Sequence, residues 1–227
     1  MNQEMKLAVL IDAENISNKY IDVILSEANN LGNIVYKRIY GNWTTPQMAS
    51  WKNIILDNAI QPIQQYSNTI RKNSSDSALI IDTMDLLYQS DLDAYCIVSS
   101  DSDFTRLASR LRESQKYVLG MGESKTPRSF ISACNKFLYL DVLFEEACEE
   151  AQQWCEANPD ECGQIVARRI EMLTPEGVAD AIRADKSDMV VASKARPELE
   201  FFYQQLLEMQ PGLVGGKLPD DGFYFAG

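Results

Sequence analysis

The sequence predicts an α/β protein: a three-layer α/β/α sandwich with a parallel sheet, followed by a small, mostly helical C-terminal region. Two observations lead to this fold class. Residues 6–11 and 94–99 form apolar runs, which are typical of strands that are buried on both faces of a sheet. Helical patterns of about 10 to 15 residues alternate with these runs and with weaker strand-like segments, and this alternation indicates βαβ units.

Residues 1–66 contain the first five predicted elements. Ile16, Tyr20 and Ile24 have the spacing of one helix face, and Gly32 is the kind of residue that ends a helix. Pro46 favours a helix start because proline lacks a backbone N–H, and the N–H groups of the first helical turn have no partner within the helix in any case. In chain order the elements are a strand at 6–11, a helix at 16–31, a strand at 34–40, a helix opening at Thr45-Pro46 and a weaker strand at 61–66.

Residues 75–140 continue the alternation. Segment 103–115 predicts an amphipathic helix because Phe104, Leu107 and Leu111 share one face. The elements are a strongly apolar helix at 75–88, a strand at 94–99, the helix at 103–115, a strand at 117–121, a short helix opening at Thr126-Pro127 and a last strand at 137–140.

The charge distribution divides the chain into two regions. Residues 1–145 carry 14 basic and 17 acidic side chains, a net charge of −3, whereas residues 146–227 carry 7 and 16, a net charge of −9. We therefore expect one α/β domain over 1–145 and an acidic helical region over 146–227 that ends in a β-hairpin near 213–225. Such a region is expected to face away from nucleic acid, or to bind a basic protein or a second copy of the chain.

The composition excludes several kinds of site. The chain has no histidine, so Ser-His-Asp and Cys-His catalytic units and His-ligated zinc sites are impossible. The net charge of −12 argues against a protein that coats DNA. No apolar run approaches the length of a membrane span, so we expect no membrane association. Five cysteines without a secretory signal are expected to be reduced thiols in the cytoplasm.

Acidic side chains follow the buried strands at the points where those strands end. Asp12 follows the first buried strand, Asp101 and Asp103 follow the second, and Asp76 lies near the start of the third helix. The carboxyl ends of parallel strands meet at one edge of a sheet, where α/β proteins form their sites. Carboxylates that converge there repel one another unless a divalent cation offsets their charge. Hard oxygen ligands favour Mg²⁺ or Mn²⁺, which suit phosphoryl chemistry.

Each of these acids, taken singly, also suits a helix cap. Asp12 is one candidate to cap the helix after the first strand, with Asn15 and Ser17 as others. Asp101 or Ser102 suits the cap of the helix that begins near residue 103. Four aspartates at three loop ends of one sheet favour the metal site over a set of separate caps.

Four segments carry a family resemblance. They are LAVLIDAENI at 7–16, KNSSDSALIIDTMDLLY at 72–88, IVSSDSDFTRLASRLRE at 97–113 and GESKTPRSFISACNKFLYL at 122–140. Together they resemble the NYN domain family of the PIN-like nuclease superfold, in its LabA-like branch, over about residues 5–141. The resemblance implies a parallel sheet with an acidic metal-binding pocket and a Mg²⁺- or Mn²⁺-dependent ribonuclease that hydrolyses RNA phosphodiester bonds.

The resemblance also implies roles for individual residues. The catalytic, metal-ligating acids would be Asp12, Asp76, Asp101 and Asp103, and the other polar residues of the pocket would be Asn15, Ser99 and Ser102. The family's usual Ser-Gly-Asp-Ser-Asp turn reads Ser-Ser-Asp-Ser-Asp at 99–103. Ser100 therefore replaces a glycine, which affects the geometry of the turn but none of the ligands.

Basic side chains near these acids are the expected RNA contacts. They are Arg71, Lys72, Lys125 and Arg128. Lys125 precedes a predicted helix start, where backbone amides favour a phosphate. A solvated surface position is the alternative for each. Trp43 and Tyr40, at the end of the second predicted strand, are candidates to stack a base, with a core role as the alternative.

Two other functions are compatible with the same residues. A non-catalytic RNA-binding or regulatory adaptor on this fold is the first, although the presence of all four acids argues against it. A phosphoacceptor domain of the receiver type is the second, because it too places acids at strand ends. The closely spaced pair Asp101 and Asp103 fits poorly with the isolated aspartate that a receiver needs.

Overall fold

Six parallel strands form one sheet in a computed structural model of the chain. The model describes residues 4–65, 74–170, 172–184, 196–197, 199–201 and 203–204, but not the side chains of residues 74–76. The strands are β1 (Lys6–Asp12), β2 (Asn33–Gly41), β3 (Gln61–Gln64), β4 (Ala94–Val98), β5 (Tyr117–Gly122) and β6 (Lys136–Tyr139). Their order in the sheet is β3-β2-β1-β4-β5-β6.

Helices cover both faces of this sheet, which makes the three layers predicted from the sequence. They are α1 (Ile21–Leu31), α2 (Trp51–Asp57), α3 (Ser74–Gln89), α4 (Thr105–Glu113) and α5 (Arg128–Ala133). Side chains alternate between the faces along β1: Val9 joins the core under α1 and α2, whereas Leu10 joins the core under α3 and α4. Because both faces are covered, residues 7–11 are apolar throughout.

The order of the strands creates a crevice at the carboxyl edge of the sheet. The chain moves from β1 outward through β2 and β3, then returns to the other side of β1 and continues through β4, β5 and β6. Loops after β1 and β4 therefore leave in opposite directions, and α/β proteins bind ligands at such a switch point.

Four helices begin later than the sequence pattern predicts. A 3₁₀ turn precedes each of α1, α2 and α4, over Asn18–Tyr20, Pro46–Ser50 and Ser102–Phe104 respectively. The predicted start of α5 at Thr126 is also too early, because Pro127 is extended and the Thr126 hydroxyl donates to the Glu123 carbonyl. In each case polar side chains or a proline hold the chain in a turn before the helix begins.

The contacts of the chain divide it into two compact units, residues 1–144 and residues 145–227. The helices α6 (Leu140–Ala157), α7 (Pro159–Arg169) and α8 (Pro175–Ala184) follow the sheet. Thr174 caps α8, since its hydroxyl accepts the Gly177 amide at 3.1 Å. The predicted hairpin near 213–225 lies outside the described residues. No helix in the described ranges has both the length and the apolarity of a membrane span.

The expectation of five reduced thiols is wrong for two of them. Cys155 and Cys162 form a disulfide, with their Cα atoms 5.2 Å apart. Asn158 separates α6 from α7 with non-helical backbone angles, and this turn brings together two residues that are seven apart in sequence. Cys96, Cys134 and Cys148 are free.

A partly buried polar cluster joins α3 to the sheet. Arg38 and Tyr40, both on β2, each donate a hydrogen bond to one carboxylate oxygen of Asp82 on α3. Burial and the bond to Asp82 raise the pKa of the Tyr40 hydroxyl. Asp82 is thus partly buried and paired with two side chains of β2. It fixes α3, whose first turn carries Asp76.

We predict that Asp82→Ala lowers the free energy of unfolding by about 2 kcal/mol, because it leaves Arg38 and Tyr40 without their acceptor. Urea denaturation measures the change. Asp85→Ala is the matched control, since Asp85 is exposed on the same helix and should shift stability by less than about 0.5 kcal/mol. The triple variant Arg38→Met/Tyr40→Phe/Asp82→Leu, which leaves no polar group of the cluster unpaired, should recover most of the loss. Equal effects of Asp82→Ala and Asp85→Ala would contradict a structural role for the cluster.

Candidate functional site

Asp12 is the last residue of β1 and lies at the switch point between β1 and β4. Its side chain is almost fully buried, with 1 % of its surface exposed. One carboxylate oxygen, Oδ2, accepts hydrogen bonds from Asn15 Nδ2 at 2.7 Å and from Ser99 Oγ at 2.8 Å. The other, Oδ1, accepts the Glu14 amide at 3.2 Å. The carboxylate is therefore held in one orientation.

Burial raises the pKa of Asp12 above its usual value, although the bonds from Asn15, Ser99 and the Glu14 amide act in the opposite direction. No basic side chain among the described residues forms an ion pair with it. The site thus keeps a desolvated carboxylate without a cationic protein partner. Such an arrangement is unfavourable for folding and is typical of a functional position.

Ser99 connects Asp12 to the loop that follows β4. Its hydroxyl donates to Asp12 and accepts the Asp101 amide at 3.1 Å. One buried side chain thereby fixes two of the predicted acids at adjacent strand ends. Ser99 itself is fully buried, so this link is screened from water.

Asp101 has the cap role that its sequence context also suggested. Its Oδ1 accepts the Asp103 amide at 2.9 Å at the start of the 3₁₀ turn. Asp12 caps no helix, since the first helical turn begins at Asn18. Asp103 and Ser102 are exposed beside Asp101. Capping and ligation are compatible for Asp101, because each carboxylate oxygen has more than one lone pair.

Asp76 lies in the first turn of α3, and nothing of its side chain is described. A helix that connects parallel strands runs antiparallel to them, so its first turn lies at the carboxyl edge of the sheet. The backbone therefore places Asp76 at the same edge as Asp12. Within the side chains that the structure does describe, no three Asp, Glu or Cys groups lie together as a cation site would need.

Two further acids lie at this edge, and the sequence analysis missed both. Glu123 follows the last residue of β5 and is 5 % exposed, and Asp141 lies two residues beyond β6. Both carboxylates are tied into the edge: Glu123 pairs with the Lys125 ammonium at 2.5 Å, and Asp141 accepts the Ser124 amide at 3.0 Å. The rule that found Asp12 and Asp101, an acid directly after a strand, would have found them if it had been extended to β5 and β6.

The loops after β4 and β5 are joined at Gly122. The Glu123 amide donates to Ser100 Oγ at 2.9 Å. A Cβ atom at Gly122 would lie 2.5 Å from the carbonyl oxygen of Ser99, which no real structure tolerates. Glycine is therefore required at this position for β5 to approach the backbone that carries Ser99 and Asp101.

The predicted RNA contacts have different outcomes. Lys125 and Arg128 are exposed at the carboxyl edge, and Lys125 is paired with Glu123. Arg71 and Lys72 lie outside the described residues. Stacking of a base on Tyr40 is wrong, because its ring is fully buried. Trp43 is half-buried, so it remains a candidate to stack a base.

Comparison with solved structures shows the same fold in another protein. A Vibrio parahaemolyticus RIMD 2210633 protein of unknown function superimposes with a TM-score of 0.51 and 18 % sequence identity, over 61 % of this chain and 94 % of that one. At this identity the likeness concerns the fold alone. Curated protein sequences contain no significant match to the chain.

A family model described as the NYN domain matches residues 6–141, which comprise all six strands and both loops that carry Asp12 and Asp101. The matched region is well over half of the chain. The PIN-like nuclease fold that the sequence implied is thus supported by strand order, by the structural neighbour and by the family model. The chain belongs to the NYN domain family.

Proposed function

We propose that this protein is a Mg²⁺- or Mn²⁺-dependent ribonuclease of the LabA-like branch, which hydrolyses RNA phosphodiester bonds at the carboxyl edge of β1 and β4. One observation carries the proposal: the buried Asp12, joined to Asp101 through Ser99 at the switch point of an NYN domain. Asp12, Asp101, Asp103 and Asp76 are its proposed ligands and catalytic acids.

The chemistry of Asp12 fits a divalent cation. The carboxylate is desolvated, its pKa is raised by burial, and no described basic residue pairs with it. Every proposed ligand is a hard carboxylate oxygen, which Mg²⁺ and Mn²⁺ prefer. The chain has no imidazole that would favour a different metal.

Each residue of the site then has a separate task. A bound cation supplies an activated water and neutralises charge on the phosphate. Asn15 and Ser99 orient Asp12, and the cap at Asp101 orients the loop that carries Asp103. Lys125 and Arg128 contribute positive charge to the same edge, where a phosphate of the RNA would bind. Arg71 and Lys72 are proposed to contribute in the same way.

The acidic second region and the location of the protein belong to this proposal as well. Residues 146–227 carry a net charge of −9, so they are expected to face away from RNA or to bind a basic partner or a second copy. We place the protein in the cytoplasm. Cytoplasmic thiol reductants would there compete with the Cys155–Cys162 bond.

A non-catalytic RNA-binding adaptor is the second candidate. It is favoured by the finding that the described side chains include no group of three acids close enough to hold a cation. It predicts that RNA binds with the same affinity in Mg²⁺, in Mn²⁺ and in EDTA, and that no cleavage products form in any of them.

We predict that Asp12→Asn and Asp101→Asn each reduce RNA cleavage by more than about 100-fold, because each removes a cation ligand. Product formation from structured and single-stranded RNAs in Mg²⁺ and Mn²⁺ measures the loss. Circular dichroism checks that both variants fold. Asp57→Asn, an exposed aspartate on α2, is the matched control and should retain full activity. Undiminished turnover by the wild-type protein in EDTA would overturn the cation-dependent mechanism.

We also predict that Asp12→Asn stabilises the metal-free protein at neutral pH. Burial raises the pKa of Asp12 in the folded state. Below the usual aspartate pKa the carboxyl group is protonated in the folded and the unfolded protein, so its charge does not affect stability. As pH rises through the raised pKa, the buried group becomes charged and the folded protein is destabilised. The melting temperature in EDTA should increase by roughly 2–4 °C for each kcal/mol relieved, and the increase should shrink towards acidic pH. Asp57→Asn should show no such pH-dependent gain. Destabilisation by Asp12→Asn at neutral pH would contradict the interpretation that Asp12 is a buried charge without a cationic partner.

A further inference from the structure

An apolar cleft opens at the carboxyl edge of β2 and β3, beside the candidate site. Its volume is about 490 Å³, within the range of small-ligand pockets. The side chains around it come from the loop after β2, from α2 and from β3. They include Trp43, Met48, Ile55, Leu56 and Pro62, with Lys52 as the one charged residue among them.

Trp43 presents a fixed aromatic surface to this cleft. Its indole N–H donates to the Ile63 carbonyl at 3.0 Å, and its backbone amide donates to Gln64 Oε1 at 3.1 Å. Both bonds anchor the residue to β3, so the ring does not need to be ordered when a ligand binds. Ordered aromatic rings bind planar ligands with little loss of conformational entropy.

The cleft lies close to the site at Asp12. Gly41, the last residue of β2, lies between them, and the Ala13 amide donates to the Tyr40 carbonyl at 3.0 Å. The position that a Cβ atom of Gly41 would occupy lies 3.4 Å from Ala13 Cβ and 3.7 Å from the Trp43 ring. The aromatic wall of the cleft therefore reaches the residue that follows Asp12.

We propose that this cleft binds one unpaired nucleobase of the RNA whose phosphate lies at Asp12, by stacking on Trp43. Aromatic stacking accepts any base, and the Lys52 ammonium complements the phosphate of the bound nucleotide. A base inside a duplex cannot enter such a cleft, so the inference assigns single-stranded or looped RNA as the substrate class. It rests on the proposed function in taking RNA as the ligand.

The test measures RNA binding without catalysis. Fluorescence anisotropy in EDTA gives the affinity of the 227-residue protein for a labelled single-stranded oligoribonucleotide and for a fully abasic strand of the same length. Trp43→Ala should weaken binding to the intact strand roughly 5- to 150-fold. It should weaken binding far less to the strand that lacks the stacked base, because the same contact is already missing.

Three variants make this result specific. Trp43→Phe keeps an aromatic ring and should retain most of the affinity. Leu56→Glu adds a like charge to the cleft at a residue that is 68 % exposed, so it should weaken binding without unfolding the protein. Tyr88→Ala is the control, because Tyr88 is an exposed aromatic in the last turn of α3, at the opposite edge of the sheet. It should leave binding unchanged.

Failure of this inference is distinguishable from failure of the proposed function. Wild-type binding that Trp43→Ala and Leu56→Glu leave unchanged, or an equal loss for the intact and the abasic strand on Trp43→Ala, would overturn the nucleobase cleft alone. A dimer that Trp43→Ala converts to a monomer would assign the cleft to a second copy instead. Binding that depends on Trp43 in a protein that never cleaves RNA would support the cleft and reject the nuclease. A wild-type protein that binds no RNA would overturn both.

Discussion

β1 pairs with β2 on one side and with β4 on the other, and the loops after β1 and β4 leave the sheet in opposite directions. Within the described sheet, the carboxyl ends of β1 and β4 are the one place where the loops of neighbouring strands diverge. Asp12 lies at this place. A carboxylate there is surrounded by backbone on both sides, which explains why it is buried although it lies at the edge of the sheet.

This position creates an opposition between folding and function. A buried carboxylate is unfavourable in the metal-free protein, and the hydrogen bonds from Asn15 and Ser99 offset only part of that penalty, since the pKa remains raised. A well-packed apolar residue would stabilise the fold better. An unfavourable group at the switch point is typical of a functional site, and it is the feature on which the proposed cation site rests.

The sequence predicted the sheet well because its signals are local. The apolar runs of β1 and β4 and the helical spacing of α3 and α4 are each visible within about ten residues. It failed where the cause lies in another segment. The partners of Asp82 are on β2, 44 and 42 residues away, and the Cys155–Cys162 bond depends on the turn between two helices. Glu123 and Asp141 were missed for another reason: the ends of β5 and β6 were predicted to within one residue, but only the acids after the two strongly apolar strands were considered as site residues.

Gly122 has no Cβ atom, and this allows a close contact that keeps the site rigid. Because β5 lies directly against the Ser99 carbonyl and the Glu123 amide is bonded to Ser100, the loop after β4 is attached to a strand in the interior of the sheet rather than to other loops. The distance between Asp12 and Asp101 is then set by the spacing of neighbouring strands, which thermal motion changes little. A site built in this way is largely preformed before a ligand arrives. For the proposed ribonuclease, selectivity would then depend on which RNA strands can reach the site rather than on a rearrangement of its acids.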